Sequence, residues 1–545
     1  MTDTIRPVAG ERPPLPSRAA LISILVGLML GMFLGALDTM IMASALRTVA
    51  DQLHGLTLQA WVTTAYLVTM TVSAPLYGKL SDIYGRKPLY LTAILLFLAG
   101  SLLCGMAQSI YQLAAARAVQ GLGAGGLTSL ALAVVADISP AEKRSRYQAN
   151  LGAVFALASV AGPVLGGLFA GADQILGIAG WRWIFLINLP IGLVACVLVA
   201  LLLRVPNERV AHRVDFGGAI TLVLCVFPLL VVAENGREWG WGSPLSLLSF
   251  AAGGVGLALF LTVQRRVGDG ALLPGRLFRN LSFSLVNAVN FLGGIGVFAG
   301  LALLPLYLQI VQGLSPTAAG LLLLPQSLAT TLGARNSSAL TERFGYQPVL
   351  AAGMALMTVV FALLGQVGLQ TPLWVLGVLV TCLGYGMGLF FQVILVAIQS
   401  SVPQSDLGLA SGLYSFSRQI GGVAGTAVFV SLLFGIASSR AGEDFRAAAA
   451  EPPLRSALGD PGTLADPANA HLLDQLQNRG TVDFDDTSFL THVDDRLAQP
   501  VLETFASSLN VVFLVVAGFL ALSVLITLAL QGRSMPAETE SEERE

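Results

Sequence analysis

The sequence predicts an all-α polytopic membrane protein, a chain that crosses the bilayer many times as helices. Three observations carry this. Apolar runs of about 20 residues, the length a bilayer core requires, recur from Leu21 to Leu530. Hydrophobic residues make up 55% of the chain and charged ones 11%, with a mean hydropathy of +0.75. The basic residues gather in alternate breaks between the runs. Lipid offers no partner to a backbone amide, and the runs are too long and too little alternating for barrel strands, so each is read as a helix.

Fourteen spans can be placed, at 21–45, 58–77, 89–108, 112–136, 148–170, 183–203, 215–234, 244–264, 283–311, 315–335, 348–367, 373–398, 409–436 and 504–530. With the N-terminus inside, the even-numbered breaks hold Lys79, Arg86, Lys87, Lys143, Arg144, Arg146, Arg265 and Arg266, which makes them cytoplasmic. Both termini are then cytoplasmic. The Pro-rich start, residues 1–20, reads as a tail leading into a retained first span, because no small-residue cleavage pattern follows. Cys104, Cys196, Cys225 and Cys382 all fall within spans, where they act as small apolar packers and imply no disulfide framework. The acidic stretch 437–503 reads as a solvated external loop with a short helix near 467–479.

A repeat divides the chain. Gly78-Lys-Leu-Ser-Asp-Ile-Tyr-Gly-Arg-Lys-Pro88, between spans two and three, returns as Ser338-Ala-Leu-Thr-Glu-Arg-Phe-Gly-Tyr-Gln-Pro348, between spans ten and eleven, with Leu, acid, Gly and Pro in register. Gly121–Gly125 matches Gly384–Gly388, and Pro140 matches Pro403. The offset is two spans longer than six, so the expected architecture is six plus two plus six. Two parallel six-helix bundles, 21–203 and 282–531, flank an inserted pair at 204–281, with a substrate path at their interface. Residues 532–545 form an acidic cytoplasmic tail.

These motifs resemble the major facilitator superfamily. Asp82, Gly85, Arg86 and Lys87 match its loop motif between spans two and three, Leu113–Gly121 its span-four motif, and Gly162-Pro-Val-Leu-Gly-Gly167 the span-five motif associated with antiporters. Leu37-Asp38, Trp61–Tyr66 and Trp181–Pro190 resemble the fourteen-span drug:proton antiporter (EmrB/QacA-type multidrug efflux) branch, from which Met40 and Arg47 depart. The resemblance implies proton-coupled efflux of lipophilic drugs or antibiotics, cationic ones among them, by alternating access. It also implies that spans one and four adjoin across the N-terminal cavity.

The residues themselves give each motif work to do. Asp38 and Arg117 lie within spans, where an ionisable group is costly and needs a partner or a cavity. Both fall about 8–12 Å below the outer surface at 1.5 Å per residue. Burial and a nearby cation act oppositely on a carboxyl, so a movable Arg117 would swing Asp38 between proton capture and release. At the inner face, Gly85 suits a tight turn, Gly78 a close helix approach, and Asp82 a contact with Arg86 or with a helix N-terminus of the other half. Asp137 is placed to join them in a cytoplasmic gate. Gly162, Gly166 and Gly167 offer a smooth face in span five, and Pro163 a bend. Candidate cavity residues are Tyr66 and Phe155 in the first half, then Asn287, Asn290 and Phe291 of span nine. Tyr307, Gln309, Gln326, Phe390, Gln392 and Arg418 complete them.

Other classes are disfavoured. His54, His212, His471 and His492 all lie in loops, with no HExxH or serine-nucleophile motif, so no enzyme is expected. No Gly-x-x-x-x-Gly-Lys-Ser/Thr loop is present; the energy source is a proton gradient, with no cofactor and no metal. A single acid in the first bundle suits a proton better than a sodium cage. The inner breaks are too short for a sensor, and the span-five motif disfavours uptake. The alternative reading is a dedicated exporter of one native metabolite, antibiotic or lipid. Abundant Arg, Ala and Gly with scarce Lys point to a bacterial cytoplasmic membrane. The expected partners are small lipophilic substrates, protons and the bilayer, not nucleic acid, and a monomer is expected.

Overall fold

The computed structural model describes residues 18–53, 59–138, 147, 154, 157–158, 161–162, 164–203, 215–314, 316–403, 406–449, 451–475 and 493–530. Its long helices are α1 Arg18–Gln52, α2 Gln59–Tyr84, α3 Arg86–Met106, α4 Ile110–Ile138, α5 Asn188–Leu202, α6 Phe216–Trp239, α7 Pro244–Val267, α8 Leu281–Leu306, α9 Pro316–Phe344, α10 Tyr346–Leu364, α11 Leu373–Ser400, α12 Leu407–Ala448 and α13 Asp495–Ala529. Among the described residues, 11 helical stretches are long and apolar enough to cross a membrane. α2 and α9 have the length, 26 and 29 residues, but carry many hydroxyl and amide side chains. Only part of the predicted fifth span is described; Phe155 and Pro163 lie outside the described residues. A two-stranded hairpin, Gln174–Ile175 with Ile178–Ala179, leads into α5.

The duplication is visible in the packing. Gly121 and Gly125 of α4 face the backbone oxygens of Tyr66 and Met70 on α2, while Gly384 and Gly388 of α11 face those of Gln326 and Thr330 on α9. A side chain at any of the four would collide with backbone. Tyr66 to Gln326 and Met70 to Thr330 are both offsets of 260 (326 − 66 and 330 − 70). The turns agree too: Gly85 has φ 97° and Gly345 φ 82°, a region where a Cβ is strained. The two turns mark one end of the molecule, here the Gly85 end.

The inserted helices α6 and α7 pack on each other, and Leu222, Val226 and Leu230 of α6 cluster with Val68 and Val72 of α2. Asp215 caps α6, accepting from the Gly218 amide at 2.7 Å, from Gln264 Nε2 at 2.9 Å and from the Leu272 amide at 3.0 Å. That one carboxylate holds the pair to the linker that follows it.

At the far end the helices outrun the expected spans. α12 has 42 residues, about 63 Å at 1.5 Å per residue, and α13 has 35, against a hydrocarbon core of about 30 Å. The expected bounds 409–436 and 504–530, and with them the loop 437–503, are corrected accordingly. The extensions are polar outside, yet Ala437, Ala441 and Phe445 are buried with Leu497, Val501 and Phe505 in the same core. Hydropathy reads such a helix as loop. Short helices Pro452–Leu458, Pro461–Ala465 and Pro467–Asp474 complete a cap; residues 476–479 of the helix expected over 467–479 lie outside the described residues.

Candidate functional site

Five helices meet at one buried carboxylate. Asp38 on α1 and Arg117 on α4 are 0% and 2% exposed, and Arg117 Nη1 donates to Asp38 Oδ2 at 2.5 Å. The same Nη1 donates to Gln120 Oε1 at 2.7 Å. Gln120 Nε2 in turn donates to Asp38 Oδ1 and to Ser101 Oγ of α3, each at 2.8 Å. Asn188 Nδ2, at the start of α5, donates to Asp38 Oδ1 at 3.2 Å. Tyr66 of α2 lies beneath the guanidinium, its ring centroid 3.9 Å from Arg117 Cζ, in cation–π range. Asp38 thus accepts three hydrogen bonds, one of them from a cation, the pairing that a buried carboxylate requires. Arg117 Nε and Asn188 Oδ1 are left without hydrogen-bond partners, two loose ends in an otherwise closed network.

The Gly85 end carries a second charged cluster. Arg86 Nη1 donates to Asp82 Oδ1 and to Ser81 Oγ, each at 2.5 Å, and Arg86 Nε donates to Asp137 Oδ2 at 2.7 Å. Asp82 also reaches the other half: its oxygens accept from the amides of Gly408 at 3.2 Å and Leu409 at 3.1 Å, in the first turn of α12. Unsatisfied amides and the helix dipole make that terminus a natural seat for a carboxylate. Gly78 lies against the Gly408 carbonyl and Gly412 against that of Ala74, so α2 and α12 touch backbone to backbone. The seam continues to Gln419, whose Nε2 is 3.9 Å from Met70 Sδ. Arg276 Nη2 adds an ion pair to Asp406 Oδ2 at 2.8 Å, at the N-cap of α12.

The remaining candidates divide. Gly162 presses on Met40 of α1 and Gly166 is buried, but Gly167 is exposed with open space around it, so the expected smooth face is only partly used. Phe390 is fully buried with its ring against Gly293, and Tyr307 is buried with its hydroxyl donating to the Gly368 carbonyl at 2.9 Å. Both are packed between helices in this structure. Gln309 is exposed near the end of its helix, and Gln326 donates to Met387 Sδ at 3.3 Å. Gln392 is buried, and Phe291 is partly buried where Gly421 approaches it. Asn287 donates to its own helix at Phe283 O, whereas Asn290 bridges to α12 through Tyr414 O at 2.8 Å and Ser417 Oγ at 2.6 Å. Arg418 is partly buried over two aromatic rings. Gln120, Ser101, Asn188 and Asp406 were not singled out; Gln120 and Asn188 do fall within the motifs Leu113–Gly121 and Trp181–Pro190, and Gln120 also stands three residues after Arg117, on its helix face. Apart from these sites, a cavity of about 990 Å³ lies between the inserted pair and α12, lined by apolar groups such as Leu222, Val226, Phe260, Phe416 and Ile420.

Two parallel helical halves, joined through α2 and α12 and carrying their charges at one buried centre and one end, form a transporter's architecture. The family model described as Major Facilitator Superfamily matches residues 28–426. The chain belongs to the major facilitator superfamily. It is accordingly a multi-pass membrane transport protein and not an enzyme. It is 31% identical over 420 residues, 77% of this chain and 76% of the relative, to the multidrug transporter protein MdtP of Bacillus subtilis. It is 40% identical over 332 residues, 60% of this chain and 94% of the relative, to a tetracycline resistance determinant of Streptomyces rimosus. Among solved structures, the proton:xylose symporter XylE shares the fold, with a TM-score of 0.56 at 15% identity, covering 94% of this chain and 96% of that one.

Proposed function

We propose that this major facilitator protein expels lipophilic compounds, drugs or antibiotics among them, from a bacterial cytoplasm in exchange for protons. In this reading fourteen spans form the bundles 21–203 and 282–531 with the inserted pair 204–281, and the Gly85 end and both termini face the cytoplasm. The names of its multidrug and tetracycline relatives support export as the direction. The observation that carries the coupling is the Asp38 cluster: a titratable group is the hub on which α1, α2, α3, α4 and α5 converge.

The mechanism follows from the bonds. With Asp38 ionised, Arg117 is held, and the Asp82 tie to α12 keeps the cytoplasmic side shut. A proton arriving from outside on Asp38 cancels the charge, leaving Arg117 with Gln120 Oε1 as its remaining acceptor. The hub loosens, the halves rock, and the Asp82 tie breaks. On the cytoplasmic side the proton leaves, cargo enters, and the re-formed pair drives the return. Everted membrane vesicles test this: an imposed inside-acid gradient, without nucleotide, is expected to accumulate a lipophilic drug, and a protonophore to abolish it. Accumulation that requires ATP or ignores the gradient refutes the reading.

A further inference from the structure

The second half contains a cation with nothing to neutralise it. Arg418 stands eleven residues after Leu407 on α12, about 16 Å along the axis and so near the middle of a hydrocarbon core about 30 Å thick. Phe416 and Ile420 line the apolar cavity under the inserted pair, and two residues turn a helix by about 200°, so Arg418 points away from that cavity. It turns toward α11, where its guanidinium carbon is 5.1 Å from the Phe391 ring centroid; the Tyr414 centroid is 5.0 Å away. Among the described residues the Arg418 side chain makes no ion pair and no hydrogen bond. Aromatic faces soften the charge but cannot fill the in-plane N–H fork, which matches a planar anion with two oxygens. Arg117, by contrast, spends its charge on Asp38.

An unused acceptor packs against the same stretch of α12. Asn290 is 0% exposed, its Nδ2 is committed to Tyr414 O and Ser417 Oγ, and its Oδ1 has no hydrogen-bond partner. Meanwhile Asp38, 0% exposed, already has Arg117 as its cation and accepts from Gln120 and Asn188. We infer that Arg418, with the faces of Phe391 and Tyr414, forms an anion-recognising subsite, and that the cargo is a flat lipophilic molecule bearing an ionised carboxylate or enolate. Asn290 Oδ1 takes a hydroxyl or amide donor next to that group. The inference rests on the export reading for the word cargo, but the subsite is tested by binding alone.

The test uses purified full-length protein in lipid nanodiscs and three fluorescent probes of one shape: anthracene-2-carboxylate, its carboxamide, and the corresponding trimethylammonium salt. The wild type is expected to bind the carboxylate about tenfold or more tighter than the carboxamide. Arg418→Gln removes that preference while leaving the carboxamide within about twofold, and Arg418→Lys restores part of it. The probe ranking on the wild type stands even if a variant does not fold. A wild type that prefers the ammonium probe, binds none of the three, or loses carboxylate and carboxamide equally in Arg418→Gln overturns the subsite. Arg418-dependent carboxylate binding without transport in a pH gradient upholds the subsite and defeats proton-driven export instead.

Discussion

Asp38 and Arg117 are a matched pair whose members are not equally dispensable. Arg117→Leu leaves a buried carboxylate facing only Gln120 and Asn188, and removal of one member of a buried pair costs about 3–5 kcal/mol. Asp38→Asn leaves Arg117 its bond to Gln120 Oε1 at 2.7 Å and the Tyr66 ring. Denaturant unfolding in detergent is therefore expected to rank wild type above Asp38→Asn above Arg117→Leu; equal stability of all three would mean the network is not closed as described. The two charges were legible in the sequence because lipid makes any charge conspicuous. Ser101 was not, because a lone polar residue in a span looks the same whether it serves a network or only its own helix.

At the scale of helices, the contact between α2 and α12 rests on Gly78 lying against the Gly408 carbonyl and on Asp82 accepting from the α12 N-terminus. Gly78→Val inserts side-chain atoms where backbone stands, and Asp82→Asn discards charge-assisted bonds worth about 1.5–3 kcal/mol. Both are expected to lengthen the spin-label distance between the Gly85 turn and the 401–403 segment; an unchanged distance distribution would show that the tie does not hold the halves. The Gly85 turn was readable from its Gly and its echo at Gly345, since positive φ selects that residue. The kind of partner, a helix N-terminus of the other half, was readable from the acid at Asp82; that it is the start of α12 was not, because backbone amides carry no sequence signature. The extensions of α12 and α13 escaped for the opposite reason: Arg440, Glu443 and Asp444 read as loop, while the buried Ala437, Ala441 and Phe445 carry the helix.

Across the molecule, charge lies at the two ends, in the Asp38 centre and at Arg418, and the far-end cap shows the first case. Asp494 accepts from Arg496 Nη2 at 2.7 Å, and hydrogen bonds from Arg496 hold its carboxyl below the usual carboxylate range; bonds from Thr463 and Gly462 do the same for Asp460. A carboxyl depressed on folding contributes stability above its unfolded pKa of about 4 and loses it as pH falls through the lower folded value. Protection factors of the 452–474 amides, with the intrinsic pH dependence of exchange divided out, are expected to stay level between about pH 5 and 8 and to fall only below about pH 4; a fall near neutrality would contradict these bonds. The duplicated halves were legible from periodic glycines, whereas the cap was not, because its short helices lack an apolar run. We propose Asp38 as the proton carrier. The most direct test follows collapse of an imposed pH gradient in everted vesicles when a transported compound is added, for wild type beside Asp38→Asn. Compound-dependent proton release is expected from the wild type and none from Asp38→Asn at equal folded protein; equal release from both would rule Asp38 out as the carrier.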